Sequence, residues 1–434
     1  MKVRLENFGK VTDATVSLDG ITVIAGPNKS GKSTIGRAFV TLGNVLRRMD
    51  ETVRDRKLRQ FMNRLGEYMG LSEFHISRLL RLMRLNFPGE DFLSQEFWRD
   101  DVNRGRLPVL VTKSIQLGRP VTFKDISSKQ DLEKVIEILE GVLGQDDLEM
   151  AQDNIDSRFN DVFSGQINSL LRPDTEAVVS VFDDVGKELV AIVFRGNKFK
   201  ESRGTLFSAF QKIIYLEPLH LLDVIPHGIS YRRAEATDRY RAGDCSWNEI
   251  LALAVDENAR DDISLGEKKE IEAVVDEIAT ILGGAFGVKD GRLCFKESSF
   301  PDSSSLVELE NLASGMKSML VVLQALRKYL FRRGMLFVID EPESNLHPEW
   351  QVKFAAVLVS LWKRLGVKLL ITTHSPYFLK SIETCAANFG CLDSMVSYMM
   401  RNDETGFGMV AQDVTDKLNE VYKTFFDPLN NLVS

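Results

Sequence analysis

Hydrophobic and polar positions change rhythm several times along the chain. Near the start they alternate: Val3 and Leu5, then Ala14, Val16 and Leu18, stand among polar neighbours, with Asp19-Gly20 as a turn. Such alternation predicts strands with one buried face. Residues 21–25 (ITVIA) are apolar throughout, as in a strand covered on both faces. Apolar spacing over 35–49 then predicts a helix.

From Arg47 to about Pro173 the pattern is helical and highly charged, without convincing strands. Strand rhythm returns at 178–182 and 189–194, joined through Asp183-Asp184-Val185-Gly186-Lys187, and at 213–216, which Pro218 stops. A helical stretch over 247–282 follows. Beyond it the elements alternate: helix 316–331, strand 335–339, helix 348–365, strand 368–372, a hairpin from 396–400 and 407–410, and a closing helix. Alternation of this kind predicts an α/β fold with a parallel sheet. The chain divides into an N-terminal part (1–48), a helical insertion (49–174) and a C-terminal part (175–434).

The 434 residues suffice for two or three domains, or for one with a large insertion. Hydrophobic residues at 44% and charged residues at 27% are ordinary globular usage and exclude a disordered chain. With 55 basic against 62 acidic residues, the net charge of −7 gives no general attraction to nucleic acid or acidic membranes. Cys245, Cys294, Cys385 and Cys391 form no CxxC pair, which suits reduced thiols in a cytosolic protein. The charged start MKVRLENFGK holds no signal-peptide core. No apolar stretch nears the ~18 residues of a bilayer span. A cytoplasmic protein without a membrane partner is expected.

The chemistry begins at Gly26-Pro27-Asn28-Lys29-Ser30-Gly31-Lys32-Ser33-Thr34, which fits G-x-x-x-x-G-K-S/T between an apolar strand and a helix. Glycines let the backbone wrap phosphate oxygens, and the following helix aims its positive end at them. ATP and Mg²⁺ are the implied ligands. Lys32 is expected on the β- and γ-phosphates, Ser33 on Mg²⁺ and Thr34 near the α-phosphate. Residues 335–341 form an apolar strand ending in Asp340-Glu341. Buried carboxylates are costly unless something uses them: Asp340 is the expected metal residue and Glu341 the base for an attacking water. The apolar run 368–371 likewise leads to Thr372-Thr373-His374, making His374 the candidate γ-phosphate sensor. Before the acidic strand, Asn311-Leu312-Ala313-Ser314-Gly315-Met316-Lys317 puts Ser314 and Gly315 at a helix start, either as a simple cap or as a second anion site.

In this order the motifs resemble ABC-type P-loop ATPase heads, the group that includes SMC and RecF proteins. The resemblance implies a mixed sheet flanked by helices, here with a large helical insertion. It also implies a head-to-head dimer or higher homo-oligomer sandwiching two ATP molecules, in which Ser314 and Gly315 complete the facing site. The signature lacks the second glycine and the glutamine of LSGGQ. Glu341-Pro342-Glu343-Ser344-Asn345-Leu346-His347-Pro348 looks like the bacterial OLD-like ATPases, and as a local signal it also reads as a helix start with His347 at the cap and Pro348 in the first turn. No D-x-D pair follows His374, where OLD nucleases carry a Toprim nuclease domain. The resemblance therefore implies the standalone ATPase of an anti-phage defence system of the Septu or PARIS type, controlling a separately encoded effector. Two alternatives are an ATP-bound scaffold with negligible turnover and a RecF- or SMC-like repair ATPase. Gln211 and the turn Tyr215-Leu216-Glu217-Pro218 are candidates for the segment that approaches the nucleotide. Nucleic acid would find arginines in the insertion, with Arg78, Arg81 and Arg84 along one side of a helix, and a further cluster at Arg232, Arg233, Arg239 and Arg241.

Overall fold

The computed structural model describes the chain except positions 48, 116–123, 125, 127, 146, 205–212, 217–263, 290–291, 298–305, 309–310, 313, 328 and 434. For some residues inside elements it describes the backbone alone. It divides into two compact units, one of residues 1–47 and 156–434, the other of residues 48–155.

The first unit is built on an 11-stranded sheet. Its strands are β1 (Lys2–Phe8), β2 (Val11–Ser17), β3 (Ile21–Ala25), β4 (Ala177–Phe182), β5 (Glu188–Arg195), β6 (Lys198–Gly204) and β7 (Ile213–Leu216), then β11 (Leu336–Asp340), β12 (Lys368–Thr373), β13 (Met395–Asn402) and β14 (Met409–Asp413). Three further strands, β8 (Gly284–Lys289), β9 (Arg292–Glu297) and β10 (Val307–Glu308), form a small antiparallel sheet. In the large sheet the order is β6-β5-β4-β1-β2-β14-β13-β3-β12-β11-β7. The five from β13 to β7 run parallel, whereas β2, β1, β4, β5 and β6 are antiparallel neighbours. The sheet is therefore mixed.

Every residue of β3 is buried, as expected of a strand covered on both faces. On one side lies α1 (Lys32–Arg47), against β7, β11 and β12. A Cβ added to Gly36 of α1 would sit 3.1 Å from Val338 Cγ1, so glycine lets this helix approach the strand closely. On the other, Val23, Phe337, Ile339, Leu369 and Ile371 join an apolar cluster with five helices. These are α8 (Leu265–Leu282), α9 (Ser314–Arg327), α10 (Pro348–Leu365), α11 (Pro376–Asn388) and, through Val421, α12 (Leu418–Val433).

The second unit holds α2 (Met49–Met69), α3 (Glu73–Asn86), α4 (Gln95–Arg99), α5 (Asp101–Ile115) and α6 (Lys129–Leu143) around their own core. Buried Trp98 meets Phe61 edge-on at 5.2 Å and donates its indole N–H to Phe92 O at 2.9 Å, which satisfies the one polar atom of a large apolar ring. Helix α7 (Asp147–Phe163) belongs to this unit up to Ile155; from Asp156 onward it belongs to the first, where Phe159 and Phe163 pack against Phe8.

The hairpin expected from 178–182 and 189–194 is β4–β5, and that from 396–400 and 407–410 is β13–β14. Strands β6 and β8 to β10 were not expected. The predicted helix over 247–282 is seen from Leu265; its earlier part, the clusters at Arg232 to Arg241, and Gln211 lie outside the described residues. Among the described residues no helix is long and apolar enough to cross a membrane.

Candidate functional site

Because β3, β11 and β12 are parallel and in register, their carboxyl ends lie abreast: Asp340 pairs with Thr372, and Thr373 with Ala25. Loops leaving parallel strands on the same edge form the crevice in which α/β proteins hold ligands.

The loop after β3 runs from Gly26 into α1 at Lys32. Gly26, Ser30 and Lys32 are buried; Pro27, Asn28 and Lys29 are exposed, and Gly31, Ser33 and Thr34 are half-buried. Lys29 (φ 66°) and Gly31 (φ 83°) are left-handed, and a Cβ on Gly31 would lie 3.0 Å from Val11 Cγ2. Conformation and space together call for glycine there. The Lys32 ammonium donates to Gly26 O and Pro27 O, both at 2.9 Å, from a site where burial pulls its pKa down despite the acids nearby. The buried Ser30 hydroxyl has no hydrogen-bond partner among the described residues.

Asp340 is the meeting point. Its Oδ1 accepts from Ser33 Oγ at 2.9 Å and from the Thr372 hydroxyl, and its Oδ2 accepts from Tyr215 OH at 3.4 Å. Tyr215 in turn accepts from Arg37 Nε at 3.2 Å. Of the turn 215–218, only Tyr215 and Leu216 are described, and Tyr215 does reach the site.

Glu341 follows with φ 50°, uncommon for a residue bearing a side chain, held by its N–H donating to Thr372 O at 3.0 Å. Its Oε1 is 3.3 Å from His374 Nδ1 and 3.9 Å from Lys32 Nζ. Each partner shifts the other: the His374 ring beside it lowers the Glu341 pKa, and Glu341 raises that of His374. Glu343 is buried. Its Oε1 accepts from the Thr373 hydroxyl (2.6 Å), His374 N–H (2.9 Å) and Ser375 N–H (3.2 Å). Burial pushes its carboxyl up against the pull of those donors.

Lys32, Ser33, Asp340, Glu341 and His374 thus converge around one point. Ser314 and Gly315 form the first turn of α9; their surroundings lie outside the described residues. Sequence reasoning gave no role to Glu343, Thr372 or Arg37. The only sequence signal for Glu343 was its place in the E-P-E run.

With this geometry in view, the AAA ATPase domain family matches residues 124–379, more than half of the chain. The chain belongs to the AAA ATPase domain family. A second match, to the AAA domain family, covers residues 2–60, including the phosphate loop. The Septu protein PtuA of Bacillus thuringiensis is 28% identical over 131 residues, which are 26% of this chain and 33% of that protein. The chain therefore spans about a third of the length of that relative. Among solved structures, an SMC head bound to the C-winged helix domain of ScpA is similar at TM-score 0.43 and 10% identity, over 96% of this chain and 98% of that one. The SMC head domain from Thermotoga maritima gives 0.37 and 11%, over 95% and 98%. The family is one of ATPase domains.

Proposed function

We propose that this ATPase is the Mg²⁺-dependent, regulatory ATPase of an anti-phage defence system in the cytoplasm, working as a nucleotide-sandwich homodimer or higher homo-oligomer that controls a separate effector. The observation that carries the catalytic part is the bond between Ser33 and Asp340, 2.9 Å long, which unites phosphate loop and acidic strand. The likeness to the Septu protein supports the defence part.

The residues fit Mg²⁺. A hydroxyl and a carboxylate meet where phosphate oxygens would supply further ligands, and Mg²⁺ commonly takes only one or two protein groups beside a nucleotide. That explains why no cluster of three His, Cys, Asp or Glu is needed, and none occurs among the described residues. When bound, the ion would neutralise charge on the phosphates. The rest falls to the chain itself. The loop N–H groups and Lys32 hold the phosphates, Glu341 accepts a proton from the attacking water, and His374 faces the γ-phosphate. Ser314 and Gly315 complete the nucleotide site of a facing copy.

Hydrolysis by the purified chain, with and without Mg²⁺, beside light-scattering mass in ATP, tests this reading. Magnesium-dependent turnover and an ATP-held assembly are expected; ATP binding without turnover would turn the protein into a scaffold. A second ligand, nucleic acid, is favoured by α3, where Arg78 and Arg81 pair with no carboxylate among the described residues, while Arg84 meets Asp55 at 3.2 Å. Charge reversal at Arg78 and Arg81 that leaves nucleic-acid binding unchanged would remove that idea.

A further inference from the structure

Glu341 is asked to do two things at once. Its Oε1 lies 3.3 Å from His374 Nδ1, yet a base that takes a proton from water must face the water. If Glu341 were the sole partner of Nδ1, its departure would leave the imidazole unheld at the moment it is needed.

A second carboxylate is already in place. Glu343 Oε1 lies 3.4 Å from the same Nδ1. The two acids differ in their freedom. Glu341 is half-exposed, whereas the Glu343 side chain is only 3% exposed and is pinned by three donors from Thr373, His374 and Ser375. Those donors are the last residue of β12 and the start of the turn that carries His374 into α11. Ser375 then caps α11 by accepting from Phe378 N–H at 3.1 Å, so the clamped turn is tied to a rigid helix. Two buried atoms here have no hydrogen-bond partner among the described residues, Glu343 Oε2 and His374 Nδ1. One accepts and the other can donate. Buried groups of this kind are normally paired, and site bonds that are misaligned without ligand tighten when it binds.

We propose that Glu343 is the positioning residue for His374: it fixes the 373–375 turn and offers Nδ1 a stationary acceptor, which frees Glu341 for the attacking water. This rests on the reading of His374 as the residue that faces the γ-phosphate. Glu343 acts through the turn and the imidazole that it holds.

The test uses the full chain, with ATP and ADP as probes. Affinities for both nucleotides and kcat are measured for wild type, Glu343→Met, Glu343→Gln, His374→Ala and the double variant Glu343→Gln/His374→Ala. Methionine keeps the length but accepts no such bonds; glutamine keeps one acceptor oxygen. Expected is a fall of about tenfold in ATP-over-ADP preference and in kcat for Glu343→Met, which leaves the three donors of the turn and Nδ1 without their acceptor. Glu343→Gln should show a smaller fall of about threefold, with ADP affinity unchanged in both, since a weakened rather than absent bond is at stake. In the His374→Ala background Glu343→Gln should add nothing, because the two residues act as one unit. Wild-type preference and kcat in the Glu343 variants, alongside a damaged His374→Ala, would overturn this proposal alone. A His374→Ala variant with wild-type preference would overturn the reading beneath it. Equal loss of ATP and ADP binding, or additive loss in the double variant, would reduce Glu343 to a structural residue. Should Glu343→Met fail to fold, Glu343→Gln and the double variant decide.

Discussion

The two halves of the large sheet use the same material for different ends. From β13 to β7 the strands run parallel, and Ala25, Asp340 and Thr373 finish side by side. Everything chemical in the site leaves from that edge. From β2 to β6 the neighbours are antiparallel, so their ends alternate between edges, and tight turns close β1–β2, β4–β5 and β5–β6. The β5–β6 turn, Gly196-Asn197, has both residues left-handed (φ 59° and 63°), the geometry of a two-residue hairpin whose twist matches its strands. Beneath that arm aromatic rings gather: Phe8, Phe159, Phe163 and Phe194 stack and tilt together, while its charges pair with one another, as Arg4 does with Asp13 and Lys200 with Glu176. Strand direction alone separates chemistry from support within one sheet.

The sharpest way to break this comparison is at Lys32. Lys32→Ala should weaken ATP binding at least about 100-fold, a loss of ~2.7 kcal/mol, read by calorimetric titration. Next comes Asp340→Asn, which keeps oxygen for the Ser33 and Thr372 hydroxyls but not the charge. It should lower Mg²⁺-dependent hydrolysis by about 100-fold while the melting temperature barely moves. On the antiparallel arm the pattern should invert. Phe194→Ala opens a cavity among fully buried rings and should cost about 3–5 kcal/mol in urea unfolding, with turnover per folded molecule unchanged. Activity lost while the fold persists would show that the arm is part of the catalytic machinery after all.

The smallest effect is expected at the seam between the halves. Asp403, in the β13–β14 loop, accepts from Thr405 Oγ1 and N–H, Gly408 N–H, and Thr12 Oγ1 of β2. The Thr405 hydroxyl does most to pull its pKa from 3.8 down to about 2. A carboxylate with a depressed native pKa stabilises the fold above its ordinary value and ceases to do so as pH falls toward the depressed one. Acid unfolding between about pH 4 and 2 should therefore be shallower in Asp403→Asn than in wild type.

Most of the parallel half was legible because its signals are local. The apolar runs 335–339 and 368–371 lead straight into polar residues, run 21–25 leads into the phosphate loop, and that loop announces its own turn. The missed strands carried weaker signals. Lys198–Gly204 (KFKESRG) is an edge strand exposed along most of its length, so no apolar alternation marks it. Gly284–Lys289 and Arg292–Glu297 are short and, in the first case, interrupted by glycine. Site partners brought together by register were hidden for another reason. Thr373 meets Glu343 across 30 positions, and Tyr215 meets Asp340 across 125, distances over which sequence pattern carries no information. Glu341 and His374 were recognisable by kind, but the two acids sharing one imidazole nitrogen were not.

The central claim is that the parallel strand ends form one hydrolytic site, and Glu341→Gln tests it most directly. ATP hydrolysis and ATP retained after gel filtration are measured beside wild type in Mg²⁺. The account predicts that hydrolysis falls by about 100-fold or more, as for loss of a general base, while ATP stays bound. Wild-type turnover by Glu341→Gln would contradict it.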